Sequence, residues 1–264
     1  MNDPTILRFL QRAAITAVAS VLCVGIAAEA AELKVLSSLG MQSVFAELGP
    51  QFERASGHKL TIPFDSAGGV VKRVEGGEVP DVVVTVQAGI DKFVKDGRTA
   101  SASITAVAQS GIALAVRKGA PKPDISSHES LKRTLLAAKS IAYANPALGG
   151  ASGIHFAKVL DRLGIAEEAK AKTIFLSQPG PVGALVANGQ AEIAVQQYPE
   201  LLQVAGLEIV GPLPGDLQET LVFSAAIMAN ARDTGASRMF ISFMRTPEAS
   251  AVIRAKGMQP AAPS

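Results

Sequence analysis

Two turns near the start of the chain put serine hydroxyls directly after an apolar strand and before a helix. Ser37 and Ser38 follow a strand that begins at Leu33, and Ser66 follows a strand that begins at Leu60. The start of a helix offers N–H groups without partners and a partial positive charge, and serine adds a hydroxyl donor without bulk. Two such turns on one sheet predict a cradle for an anion or a carboxylate. Capping of the two helices by the same serines is the alternative that the sequence leaves open.

The same strand–turn–helix pattern recurs in the second half of the chain. The segment 149–153, which contains Ser152, lies between a predicted strand and a predicted helix, and so does the segment 177–181. If the two halves face each other, their helix starts converge on the cleft, where open α/β sheets bind ligands. Gln197 and Tyr198 end another strand, and their amide and phenol groups would either reach a ligand or satisfy the loop.

The residue pattern argues against several common kinds of enzyme site. The glycine-rich loop lacks the lysine of a phosphate-binding loop, and the segment 150–154 misses the last glycine of a nucleophile elbow. The three histidines are scattered without the spacing of metal ligands, so we expect no metal and no cofactor. A proton-transfer enzyme needs a general base near the cleft, and only Asp65, His155 and Glu200 are available there. This scarcity favours binding over catalysis, and no catalytic residue is assigned.

The order of predicted elements indicates the fold. Strands and helices alternate, which predicts an α/β protein of two lobes, each a mostly parallel sheet flanked by helices. We expect residues 31–110 with 217–264 in lobe 1 and residues 111–216 in lobe 2, because the C-terminal helix pair is too short to form a domain alone. The formal charge is +2, from 25 basic and 23 acidic residues. Without a cluster of basic residues, this balance argues against nucleic-acid binding.

The first 30 residues are typical of a secretory signal peptide. Arg8 and Arg12 precede an apolar run over residues 13–28, and the segment 28–30 (Ala-Glu-Ala) fits the small-x-small cleavage rule. A membrane anchor that keeps this segment is the alternative, but the run of about 16 residues is short against the roughly 20 that a bilayer span needs. The only cysteine, Cys23, lies inside the run, so the exported chain would form no disulfide.

Several segments, in their order and spacing, resemble the type II periplasmic solute-binding proteins and, within them, the molybdate-binding receptor family of ABC importers. They are the segments 34–38, 64–68, 77–84, 152–154, 186–192 and 245–260. The resemblance covers nearly all of the chain after residue 30. It implies a two-lobed fold with the ligand cleft between the lobes, and a periplasmic location after signal cleavage. It also implies a monomer that hands a small anionic ligand to the membrane subunits of an ABC importer.

The resemblance also implies which residues hold the ligand, since this family binds an oxyanion with hydroxyl and N–H groups and without cationic side chains. The implied residues are Ser37 or Ser38, Ser66, the N–H near Ser152 and the helix start near Val182. The family's tyrosine on the last cleft loop aligns with Gln197, with Tyr198 one place along, and an amide in place of a phenol changes the cavity. The segments 119–125 and 196–202 resemble a divergent branch that is similar to bacterial aconitate isomerase. A tricarboxylate ligand, or isomerisation of one, is therefore the alternative to a molybdate-like oxyanion.

Overall fold

The computed structural model describes residues 30–100 and 102–262, so the predicted signal peptide lies outside the described residues except for Ala30. The strands are β1 (Glu32–Ser38), β2 (Lys59–Thr61), β3 (Phe64–Asp65), β4 (Val82–Val86), β5 (Thr105–Arg117), β6 (Ile141–Tyr143), β7 (Thr173–Ile174), β8 (Ile193–Gln197), β9 (Leu207–Pro212), β10 (Thr220–Ile227) and β11 (Gln259–Pro260). The α-helices are α1 (Gln42–Ser56), α2 (Ala67–Glu75), α3 (Gln87–Lys95), α4 (His128–Ala137), α5 (Ala151–Arg162), α6 (Ala166–Lys170), α7 (Gly183–Ala187), α8 (Tyr198–Leu202), α9 (Thr234–Phe243) and α10 (Pro247–Ala255). Short 3-10 helices span Leu39–Met41, Pro146–Leu148 and Gly215–Leu217. Within the described ranges, no helix combines the length and the apolar character needed to cross a bilayer.

The strands form a mixed sheet in the order β2-β1-β4-β10-β5-β8-β6-β7. The outer strands on each side run parallel to one another, as the alternation of strands and helices predicts. β10 and β5 lie in the middle and run antiparallel to their neighbours. The order of the chain explains these antiparallel pairings. β5 carries the chain from the first half into the second, and β10 begins where the chain has come back to the first half.

β5 belongs to both halves of the sheet. Its first part pairs with β10 and β11, with Ala108 opposite Phe223. Its second part pairs with β8 and β9, with Leu114 opposite Val195. One continuous strand therefore joins the two halves.

Alternating side chains on the central strands build a core on each face of the sheet. On β4, Val82 and Val84 enter one buried cluster while Val83 enters another. On β5, Ile112 and Ala113 divide in the same way between two clusters of the second half. The first-half clusters draw on residues 33–108 and 221–258, and the second-half clusters on residues 112–217. The lobe boundaries at residues 110 and 217 stay a prediction.

The pairing of β1 with β3 brings the two serine turns together. These strands are parallel, with Ser37 opposite Phe64 and Ser38 opposite Asp65. The chain then enters the 3-10 helix before α1 in one case and α2 in the other. Both helix starts therefore lie at the same edge of the sheet.

Candidate functional site

A cavity of about 40 Å³ is lined by residues of both halves of the chain. The first half contributes the two serine turns, with Ser38, Leu39, Gly40, Ser66 and Ala67. The second half contributes the end of β8 and the segments that follow β6, β7 and β8, with Ala144, Asn145, Leu148, Gly150, Ala151, Leu176, Gln178, Pro179, Gly180, Val182, Gln196, Gln197 and Glu200.

The cavity wall is polar without being cationic. Glu200 is the only titratable residue among the lining residues that the structure describes, and none of them is a lysine, an arginine or a histidine. Leu39, Ala67 and Ala151 are each the first residue of a helix, and no side chain caps the helix that begins at Ala151. The first N–H groups of a helix have no partner within it and carry a partial positive charge. Such a wall can stabilise an anion with N–H groups alone.

Two buried polar atoms of the wall, Ser38 Oγ and Gln197 Oε1, have no hydrogen-bond partner among the residues that the structure describes. The two residues are only 3% and 6% exposed, and buried polar atoms nearly always have partners. A rotation of the Gln197 amide presents its nitrogen instead of its oxygen, so this side chain can donate as well as accept. Gly40 allows the close approach, since a β-carbon there would lie 2.6 Å from the Phe223 ring and 2.9 Å from Gln197 Oε1. The Ser38 hydroxyl and the Gln197 amide are therefore available to bind a ligand.

Ser66 caps a helix and also joins the two halves. Its hydroxyl oxygen accepts a hydrogen bond of 2.9 Å from the Gly69 N–H, which caps α2, and the hydroxyl donates to the carbonyl of Leu148. Beside it, the Gly68 N–H donates a hydrogen bond of 2.9 Å to the carbonyl of Gly149. Capping and a role at the cavity are therefore not exclusive at Ser66.

Three of the predicted ligand-binding residues do not line the cavity. Ser37 is fully buried, and its hydroxyl donates to the Ser38 carbonyl. Because successive residues of β1 point to opposite faces, Ser38 lines the cavity and Ser37 does not. Ser152 is buried in the first turn of α5 and is not part of the wall. The Tyr198 ring packs where a β-carbon of Gly257 would lie, so it faces another side of the protein.

Val182 lines the cavity as expected, but its N–H is already in use. It donates a hydrogen bond of 2.9 Å to Gln196 Oε1. The Gln196 Nε2 donates in turn to the Gly180 carbonyl at 3.1 Å and to Glu200 Oε1 at 2.9 Å. Gln196 therefore connects the loop before α7 with the acidic residue of the wall.

Glu200 is the one base candidate that the structure brings to the cavity. Burial raises the pKa of its carboxyl group to about 8, against the opposing effect of hydrogen bonds from the Gln196 side chain and the Gln197 backbone. Asp65 instead accepts a hydrogen bond of 2.7 Å from the Ser66 N–H. His155 contacts the Leu217 carbonyl at 2.7 Å and the carboxylate of Glu219 at 2.9 Å, and neither Asp65 nor His155 lines the cavity.

Glu200 is one of the three base candidates that the sequence places near the cleft, but no residue pattern singles it out from Asp65 and His155. Glu200 lies on the five-residue helix α8, directly after Pro199, and the pattern of apolar residues does not predict a helix there. Glu200 follows Gln196 by four residues, and the two side chains are hydrogen-bonded. This short spacing is the sequence signal that could have revealed the contact. The described residues contain no cluster of three or more histidine, cysteine, aspartate or glutamate residues that could hold a metal ion.

The sequence of this chain is similar to those of known proteins. Residues 33–259 match the model of the family described as bacterial extracellular solute-binding protein. An aconitate isomerase of Pseudomonas sp. is 36% identical over 234 residues, which cover 86% of this chain and 87% of that protein. The molybdate-binding protein ModA of Azotobacter vinelandii is 26% identical over 240 residues, which cover 88% of this chain and 91% of that protein.

The fold is also that of a solved structure. The structure of the periplasmic molybdate-binding protein of Azotobacter vinelandii superposes with a TM-score of 0.73 at 23% identity, covering 88% of this chain and all of that one. This likeness shows that the chain has the α/β fold of periplasmic binding proteins.

Proposed function

We propose, since the chain belongs to the bacterial extracellular solute-binding proteins, that it is a periplasmic receptor for a small oxyanion of the molybdate or tungstate type. The anion binds in the cavity between the two halves, and the loaded protein delivers it as a monomer to the membrane subunits of an ABC importer. The observation that carries this proposal is the pair of buried, unpartnered polar atoms, Ser38 Oγ and Gln197 Oε1, in a wall without cationic side chains.

The size of the cavity supports a compact ligand. At about 10–15 Å³ for each water-sized group, a cavity of 40 Å³ holds about three or four such groups. A tetrahedral oxyanion comes close to this size, and a tricarboxylate is larger. The donors to its oxygens would be the Ser38 hydroxyl, the Gln197 amide and the helix-start N–H groups at Leu39, Ala67 and Ala151.

Ligand-induced stabilisation tests the proposal. A ligand present at 100 times its dissociation constant adds about 2.7 kcal/mol to the free energy of unfolding. For a chain of this length, this raises the melting temperature by roughly 5–10 °C. Molybdate, tungstate, sulfate, phosphate, citrate and the two aconitate isomers form the panel, with potassium chloride at equal ionic strength as the control. We expect the largest shift with a tetrahedral oxyanion, and the absence of any shift would contradict the proposal.

Isomerisation of an unsaturated tricarboxylate is the second candidate function. Two observations favour it: the 36% identity to an aconitate isomerase, and the carboxyl group of Glu200 in the cavity wall. In such a reaction the base takes a proton from one carbon, the double bond shifts, and the proton returns to another carbon. A buried carboxyl group with a pKa of about 8 is suited both to taking up the proton and to returning it at neutral pH.

Proton exchange with solvent distinguishes the two functions. cis-Aconitate incubated with the protein in deuterated water would be followed by proton NMR. An isomerase produces the trans isomer, with deuterium at carbon to the extent that the Glu200 proton exchanges with solvent before it returns, and the Glu200→Gln variant produces none. A receptor leaves cis-aconitate unchanged while an oxyanion stabilises the same preparation.

A further inference from the structure

We propose that Glu200 recognises the ligand as a neutral carboxylic acid, so that an anion binds only to protein in which Glu200 carries a proton. This inference rests on the proposed anion-binding function and adds to it a coupling between ligand binding and proton uptake. It makes Glu200 a residue that determines affinity and its dependence on pH.

The contacts of Glu200 leave a proton on its carboxyl group free to face the ligand, although both hydrogen bonds by themselves lower the pKa. The residue is 8% exposed and lines the cavity. Its carboxyl group accepts hydrogen bonds from the Gln196 side chain and the Gln197 backbone. Because both of these partners are donors, they leave the acid proton free to be donated to an oxygen of the ligand.

Among the residues that the structure describes, no cation lies beside Glu200 to hold it ionised. Its helix α8 packs against β5, β8, β9 and the 3-10 helix at Leu39–Met41, and its first residue contacts Gly257. The charged or titratable groups on α8, on these elements or beside Gly257 are Arg117, Tyr198, Glu208 and Lys256. Arg117 donates to a carbonyl of α7, while Glu208 and Lys256 form ion pairs of 3.1 and 2.8 Å with other residues. Burial is therefore the dominant influence, and it raises the pKa of Glu200 to about 8.

The small cavity makes the charge of Glu200 decisive for an anion. Within 40 Å³, a bound anion lies a few ångströms from the carboxyl group. Two like charges about 4 Å apart, at an effective dielectric constant of about 20, repel strongly enough to weaken binding by roughly two to three powers of ten. The lining residues that the structure describes offer no cationic side chain to offset this repulsion. The neutral acid removes the repulsion and adds a donor.

The coupling has a defined pH dependence. Below the pKa of about 8, Glu200 is already protonated and the affinity is constant. Above it, each molecule of anion bound takes up a proton, and the affinity falls about tenfold for each pH unit. The dissociation constant should therefore be about thirtyfold larger at about pH 9.5 than at about pH 7.

Calorimetric titration of the parent protein with molybdate and with sulfate measures this dependence, because neither probe changes its charge over that pH range. Glu200→Gln keeps a neutral side chain of the same shape, and its dissociation constant should change less than about twofold over the range. Glu208→Gln, which removes a half-exposed carboxylate that pairs with Lys122 and does not line the cavity, is the matched control and should keep the dependence of the parent. An equal affinity of the parent at both pH values would overturn the inference and leave the anion-binding function intact.

Proton uptake in the parent protein provides a test that needs no variant. Titrations near pH 8.5 in two buffers of different ionisation enthalpy should give an uptake of about 0.8 proton per anion bound. An uptake near zero would overturn the inference even if Glu200→Gln failed to fold. Absence of binding by either probe at about pH 7 would contradict the inference together with the oxyanion-binding function.

Discussion

Gly68 and Gly149 meet across the edge of the cavity, where the Gly68 N–H donates a hydrogen bond of 2.9 Å to the Gly149 carbonyl. A β-carbon on Gly68 would lie 2.8 Å from the Gly149 Cα, and one on Gly149 would lie 2.6 Å from the Gly68 Cα. Gly149 also has a φ of +75°, in the left-handed region that favours glycine. Both residues must therefore be glycine for the two halves to approach this closely.

An added methyl group should hold the two halves apart. We expect Gly68→Ala to weaken anion binding about tenfold or more, because the contact with Gly149 and the neighbouring bond from Ser66 to Leu148 cannot both persist. Gly49→Ala is the matched control, since its β-carbon would lie 3.8 Å from the nearest atom. Calorimetry measures the affinities, and small-angle X-ray scattering measures the ligand-induced compaction. Equal affinity in the two variants would show that the contact is unimportant.

Ser38 and Ser37 form a natural pair of variant and control. Ser38→Ala should cost about 1.5–3 kcal/mol of binding free energy, the usual value for a hydrogen bond to a charged partner. The free energy of unfolding without ligand should change by less than about 0.5 kcal/mol, because the Ser38 hydroxyl has no partner within residues 30–100 and 102–262. Ser37→Ala should bind like the parent, since that hydroxyl lies outside the cavity wall. The reverse order of affinities would contradict our assignment.

Ser66 should affect stability and binding together. Ser66→Ala removes the cap of α2, which should cost about 0.5–2 kcal/mol of unfolding free energy, and it also removes the bond to Leu148. Ser66→Gly should lose the same affinity but only a few tenths of a kcal/mol in stability, about what glycine costs at a cap. Thr246→Ala, which removes a cap on α10, should reduce stability alone. Chemical denaturation and calorimetry on the same preparations separate the two effects.

Glu200 should make the protein less stable as the pH rises. Its pKa is about 8 in the folded protein and near 4.5 when unfolded, so the folded state binds more protons between these values. The parent should therefore lose about 1.4 kcal/mol per pH unit relative to Glu200→Gln between about pH 5 and pH 7.5. Below the unfolded pKa the difference between the two proteins should be constant. Urea denaturation at a series of pH values measures it, and parallel curves throughout would contradict a raised pKa.

Local patterns predict much of this fold. The alternation of strands and helices, and the serine turns after β1 and β3, follow from residue periodicity and helix-start chemistry. Ser38 and Gln197 were predicted as ligand residues, and both line the cavity. Their binding role stays a prediction. Whether Ser37 or Ser38 faces the cavity depends on the register of β1 with its neighbours, which one sequence does not fix.

The features that the sequence did not predict correctly depend on tertiary packing. The prediction of a single strand from Leu60 to the turn at Ser66 was wrong, because Pro63 interrupts it and β2 and β3 form separately. α8 is too short to show a helical period, and its contacts with β5 and β8 decide that Glu200, rather than Tyr198, faces the cavity. The pKa of Glu200 likewise results from burial by residues distant in the chain.

β5 also limits how the protein can move. The chain crosses between the halves twice, once along β5 and once through the short segment before β10. β5 is hydrogen-bonded to β10 in one half and to β8 in the other. Neither crossing is a loop long enough to let the halves separate. We therefore expect the proposed ligand to enter and leave by rotation of the halves about an axis near β5, with an amplitude limited by how far two backbone segments can twist.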